Sequence, residues 1–149
     1  MSTDTAELIA LQPAVAAREL SATADPAWLA AFMRSLDLGA ARADLARVLK
    51  VWGLSQAAAA ELFGISRQAI GKWLKRGLPA DRLESVADLA AATDVLTRHL
   101  KASRIPAVVR RPADRLDGRS LLELAGSGRT GEVLTACRRM FEFGSVQGA

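Results

Sequence analysis

The sequence has no tyrosine, one histidine (His99) and one cysteine (Cys137). A single cysteine excludes an internal disulfide framework and fits a reducing compartment. One histidine, with no second His or Cys near it, offers no metal-ligand spacing, so no metal site is expected. Nucleophile–base pairs are equally scarce, and the serines beside glycines lack a strand–turn–helix elbow. No catalytic residues, no cofactor and no enzyme activity are therefore expected. No apolar run approaches the length of a membrane span, and the N-terminal stretch lacks the order of charges and apolar residues of a secretory signal. A cytoplasmic protein is expected.

Half of the 149 residues are apolar, enough for a real core in one or two small domains. Charge is unevenly placed. Residues 1–40 hold two arginines against five acids, whereas residues 41–149 hold 18 basic against 11 acidic residues. A basic excess of that kind favours a polyanion such as nucleic acid.

One stretch organises the rest, Leu54 to Gly77, LSQAAAAELFGISRQAIGKWLKRG. Ser55 suits a helix N-cap, and Gln56 to Phe63 is a good helix former. Gly64 supplies a permissive turn. Ser66 caps a second helix, Arg67 to Arg76, in which Ile70, Trp73 and Leu74 fall on one face. Arg67, Gln68, Lys72 and Lys75 are left pointing outward. Gly77 and Pro79 end the segment. This is the anatomy of a DNA-binding helix-turn-helix, whose second helix enters the major groove with its N-terminal half. The motif resembles the Cro and Xre repressor families through Leu54-Ser55-Gln56, Ala60, Gly64-Ile65-Ser66, Ile70 and Trp73.

Base readout is assigned to Arg67, Gln68 and Lys72, since arginine pairs with guanine and glutamine with adenine. Phosphate contact is assigned to Gln56, Ser66, Lys75 and Arg76. The partner is double-stranded operator DNA, read as a dimer on two-fold related half-sites.

Around the motif the expected architecture is all-α. Residues 1–25 form an N-terminal arm, with apolar turns at Leu8–Leu11 and Val15–Leu20. Asp25-Pro26 starts a helix with Trp28, Leu29, Phe32, Met33 and Leu36 on its inward face, ended by Gly39. A supporting helix, Ala41 to Trp52, buries Leu45, Val48, Leu49 and Trp52. Residues 26–80 thus form the DNA-binding bundle. A connecting helix spans 81–103, with His99 and Lys101 in its last turn, and a small helical domain spans 104–149. There Ser120 caps a short helix, Leu121 to Ala125. Thr130 starts the last helix, stopped by Gly144, with Val133, Leu134, Cys137, Met140 and Phe141 as its apolar stripe. Gly148 and Ala149 close a loose tail. Gly126, Gly128 and Gly131 spell G-x-G-x-x-G, but without a strand before them they read as a helix-to-helix turn rather than a dinucleotide loop.

Residues 104–146 resemble the toxin-binding domain of the Xre, MbcA and ParS antitoxin family. The matching residues are the basic segment before Pro112, Leu116-Asp117-Gly118-Arg119-Ser120-Leu121-Leu122-Glu123-Leu124, Gly131-Glu132-Val133-Leu134 and Met140-Phe141-Glu142-Phe143-Gly144. The chain departs from that pattern at Val109-Arg110-Arg111 and at Leu121. The resemblance implies an antitoxin of a type II toxin–antitoxin system. It would neutralise a RES-domain toxin acting on NAD, and repress its own promoter as a dimer or larger complex. On this chain, partner contact is expected at Gly118, Arg119, Ser120, Gly128, Arg129, Arg138 and Phe141. Residues 26–102 alone are expected to keep weak operator binding. The alternative is a stand-alone, phage-type dimeric repressor whose C-terminal half only dimerises.

Overall fold

The computed structural model describes residues 25–147, together with Ala14, Val15, Arg18 and Ala22. Apart from those four residues and Asp25, the arm expected over 1–25 lies outside the described residues, as does the tail at Gly148–Ala149. The described residues are helical almost throughout and contain no strand, only one isolated bridge between Ala113 and Arg119. The fold is all-α, as the sequence pattern requires. Among the described residues, no helix is long and apolar enough to cross a membrane.

The helices are α1 (Pro26–Trp52), α2 (Gln56–Phe63), α3 (Arg67–Arg76), α4 (Leu83–His99), α5 (Ile105–Arg110), α6 (Leu121–Gly126) and α7 (Thr130–Gln147). Two expected stops are absent. Gly39 lies inside α1, and Gly144 inside α7. A glycine within a helix costs only about 1 kcal/mol relative to alanine. Good helix formers on both sides outweigh that.

The chain forms two compact units, residues 1–37 and 38–149. In the first, the Asp25 carbonyl accepts from the Leu29 N–H at 2.9 Å, and Pro26 occupies the first helical position. Trp28 stacks on Phe32 with ring centroids 5.2 Å apart. Of the apolar face expected to point inward, Leu29 and Phe32 are half-buried, whereas Trp28, Met33 and Leu36 remain about half exposed. Periodicity puts such side chains on one face, but burial needs an opposing element.

The second unit has one continuous apolar core. It runs from Ala41, Leu45, Val48, Leu49 and Trp52 of α1 through Ile70 and Trp73 of α3 to Val133 and Cys137 of α7. In α4 the buried side chains are Val86, Leu89, Ala90, Ala92, Thr93 and Leu96. Burial pushes the Cys137 thiol up to about 12, so it stays protonated and serves as a small core residue.

Two polar contacts join distant parts of this unit. The Trp52 indole N–H donates to Thr93 Oγ1 at 2.9 Å, and that hydroxyl donates to the Leu89 carbonyl at 2.7 Å, all buried. Arg110, on α5, reaches the end of α1: its Nη1 donates to the Trp52 carbonyl at 2.8 Å and its Nη2 to the Gly53 carbonyl at 3.0 Å. Those carbonyls are helix-end acceptors with no partner inside α1. Gly53 has φ of 68°, and a Cβ there would stand 3.3 Å from Pro106 Cγ. The turn between α1 and α2 is therefore built against α5.

Candidate functional site

The α2–α3 pair is made by local chemistry. Ser55 and Ser66 both hold extended backbone and cap their helices, the hydroxyls accepting from the Ala58 and Ala69 N–H groups at 3.1 Å. Gly64, at φ of 64°, ends α2. The Ile65 N–H returns to the Ala60 carbonyl at 2.9 Å, and the Gly64 N–H to Glu61 at 3.2 Å, closing a Schellman turn. Ile70 and Trp73 bury one face of α3, and Trp73 meets Phe63 edge-on at 5.5 Å. The opposite face is polar.

All residues assigned to DNA are exposed: Arg67, Gln68 and Lys72 on α3, Lys75 and Arg76 in its last turn, Ser66 at its cap and Gln56 at the start of α2. Gln56 Oε1 lies 3.9 Å from where a Gly71 Cβ would sit, so its amide lies alongside the middle of α3. Among the described residues, no carboxylate forms an ion pair with Arg67, Lys72, Lys75 or Arg76.

Two arginines brace this pair, and the sequence reading missed both. Arg42 Nη1 donates to the Lys75 carbonyl at 2.7 Å, holding the last turn of α3. Arg82 Nη1 donates to the Phe63 carbonyl at 3.3 Å while its guanidinium stands 5.7 Å from the Trp73 ring centre. Each also adds positive charge to a helix C-terminus, where the dipole favours it. No local pattern signals these contacts.

The second surface lies on α6, α7 and the loop before them. Asp117 and Gly118 adopt consecutive left-handed conformations, φ 56° and 77°, in a tight turn closed by the Ala113–Arg119 bridge. Ser120 is buried, because its hydroxyl accepts from the Glu123 N–H at 3.1 Å while the Glu123 carboxylate accepts from the Ser120 N–H at 2.8 Å. Its side chain is thus committed to a capping box. Arg129 pairs with Glu132, whose hydrogen bond and charge raise the guanidinium pKa.

An open groove of about 900 Å³ runs beside these residues, with Leu116, Leu124, Ala136 and Met140 on its apolar side and Arg129, Glu132 and Arg139 among its charged residues. Of the residues assigned to a partner, Arg129 lines it. Gly118, Arg119, Gly128 and Arg138 are exposed but do not line it. Phe141 is half-buried and stacks on His99 with ring centroids 4.2 Å apart. Among the described residues, no group of three or more His, Cys, Asp or Glu side chains could hold a metal.

The sequence matches no protein-family model and no curated protein. Among solved structures, the chain is similar in fold to a chain in the crystal structure of the M. tuberculosis MbcT–MbcA toxin–antitoxin complex. The two are 19% identical with a TM-score of 0.56, over 68% of this chain and 93% of that one, a likeness of fold.

Proposed function

We propose that this chain is an antitoxin that neutralises a RES-type toxin through its C-terminal surface and represses its own promoter through α2–α3. The observation that carries the reading is the fold likeness, which spans 93% of a chain from a toxin–antitoxin complex. Two further observations support it. The α3 helix offers Arg67, Gln68 and Lys72 on an exposed face with no competing carboxylate among the described residues. The groove beside α7 combines apolar and charged side chains, a mixture suited to a protein partner rather than to a polyanion.

In this reading Arg67, Gln68 and Lys72 read base edges. Gln56, Ser66, Lys75 and Arg76 position the duplex through phosphates. A dimer places two α3 helices in successive major grooves. The toxin meets the groove, the Gly118 and Gly128 turns and the exposed face of α7, and the bound antitoxin covers the toxin's NAD site. Arg119, Arg129, Arg138 and Phe141 contribute side chains there, whereas Ser120 acts by holding the turn. The complex works in the cytoplasm.

The test is co-expression with the product of the neighbouring gene. The intact chain should co-purify with that product and rescue growth, and Arg139→Glu combined with Met140→Glu should abolish both without changing promoter binding. A product that neither binds nor harms growth removes the antitoxin role and leaves a stand-alone dimeric repressor.

A further inference from the structure

Between Asp94 and Asp114 the chain has no acidic residue, yet it carries Arg98, Lys101, Arg104, Arg110 and Arg111. All five are exposed. Among the described residues, none of them pairs with a carboxylate. Acids close in sequence are engaged elsewhere, Asp94 with Arg47 and Asp88 with the Thr130 hydroxyl.

Part of this charge has a structural use. Arg98 stands in the last turn of α4, where a cation complements the helix dipole. Arg110 caps the end of α1. The side chains of Lys101, Arg104 and Arg111 make no hydrogen bond or ion pair among the described residues. Arg104 occupies the N-cap position of α5, the helix end where positive charge is unfavourable, while Lys101 lies just past the end of α4. Arg111 lies just beyond α5. The dipoles of α4 and α5 favour cations at Lys101 and Arg111, whereas the fold gains nothing from one at Arg104.

The position of the three residues suggests a further use. The Arg110 guanidinium is fixed on the Gly53 carbonyl. From Gly53 the chain reaches Gln56, the first residue of α2, within about 10 Å. Gln56 in turn lies against α3 at Gly71. Helix α5 spans about 9 Å between Arg104 and Arg110, and both Pro106 and Arg110 in it lie against Gly53. The basic stretch is therefore anchored, through Arg110, three residues before Gln56 at the start of the α2–α3 pair. Phosphates follow one another along a duplex at a spacing that such a stretch can track.

We infer that Lys101, Arg104 and Arg111 form a second, sequence-independent DNA contact, gripping phosphates that flank the base pairs read by α3. This rests on the DNA-binding reading above. It gives the C-terminal half a role on DNA that is separate from its partner groove. The segment adds affinity and salt dependence, and it makes binding depend on duplex length.

The test uses the full chain, the variant Lys101→Gln/Arg104→Gln/Arg111→Gln and the charge-keeping variant Lys101→Arg/Arg104→Lys/Arg111→Lys. Binding is measured against salt on random-sequence duplexes of about one and about three helical turns. The parent should show a steeper salt slope on the longer duplex. The glutamine variant should lose roughly 0.9 of slope per phosphate contact removed, on the longer duplex only, and the charge-keeping variant should match the parent. Equal slopes for parent and glutamine variant on the longer duplex overturn the inference, as does a loss shared by the charge-keeping variant. A glutamine variant with an unchanged slope that fails to co-purify with the neighbouring gene's product assigns the patch to a protein partner instead, and also overturns it. A parent that binds neither these duplexes nor its own promoter removes the DNA-binding reading itself, a result distinct from the failure of this patch.

Discussion

The α2–α3 and α6–α7 pairs are built by the same local chemistry and end with opposite surfaces. Each has a serine N-cap before its first helix and a left-handed glycine in the connection, Gly64 in one and Gly128 in the other. On α3 the exposed arginine and lysines face solvent with no carboxylate paired to them among the described residues. At the start of α7, Arg129 is already paired with Glu132, and the neighbouring groove mixes both signs of charge with apolar side chains. Unpaired donors on a rigid helix suit a polyanion, since a carboxylate beside them would have to be displaced first. An apolar surface bordered by charges of both signs suits a protein, whose interfaces set an apolar centre inside a polar rim. The helix pair is a scaffold, and the pairing state of its charges decides what it can bind.

Deleting residues 104–149 is the most severe challenge to that comparison, for it asks whether the two pairs are separable. It strips Ile105, Val109, Leu121, Leu124, Val133 and Cys137 from the core shared with α1 to α4. Large-to-small changes in a core cost about 2–5 kcal/mol each, against a total stability of about 5–15 kcal/mol. The remaining fragment should show no cooperative melting by circular dichroism, and so no operator binding. This reverses the outcome expected from the sequence for residues 26–102. A fragment that melts cooperatively would show the pairs to be independent.

A reciprocal pair of substitutions sharpens the contrast in binding. Arg67→Ala should cost about 1–3 kcal/mol on promoter DNA and much less on random DNA, with capture of the partner unchanged. Arg139→Glu should do the reverse. Fluorescence anisotropy and co-purification read the two effects. A loss for Arg67→Ala that is equal on both DNAs would make that residue a phosphate contact.

The two caps can be compared directly. Ser66→Ala and Ser120→Ala should each lower stability by about 0.5–2 kcal/mol, with the larger loss at Ser120. Ser120 is buried and belongs to a two-way capping box, whereas Ser66 is exposed. Chemical denaturation measures both, and a larger loss at Ser66 would contradict the burial argument.

The smallest effect concerns Cys137. Its thiol is raised by burial from 9.0 to about 12. The folded state therefore holds the proton more tightly than the unfolded chain. The stability this contributes is complete below about pH 8, weakens as the unfolded thiol ionises, and is lost as pH approaches 12. Cys137→Ala should flatten the alkaline limb of a stability–pH curve, and the native thiol should resist alkylation at pH 8. Rapid alkylation under native conditions would place Cys137 outside the core.

Elements whose causes are local are legible in the linear chain. Ser55, Ser66 and Ser120 cap because a hydroxyl reaches an N–H within the next turn, and Gly64 turns because it has no Cβ. The buried faces of the supporting segment and of α3 followed from spacing alone, through Leu45, Val48, Trp52, Ile70 and Trp73. Local signals failed where the energy at stake was small or the partner distant. Gly39 and Gly144 read as helix stops, but a glycine costs too little to stop a helix against its neighbours. Trp28, Met33 and Leu36 share a face that the sequence could not show to be uncovered. It took the tertiary fold to bring Arg42 to α3 from 33 residues away and Arg110 to the end of α1 from 58 residues away. These depend on where carbonyls come to lie once one core has drawn α1 to α7 together, and no periodicity in a linear chain records that.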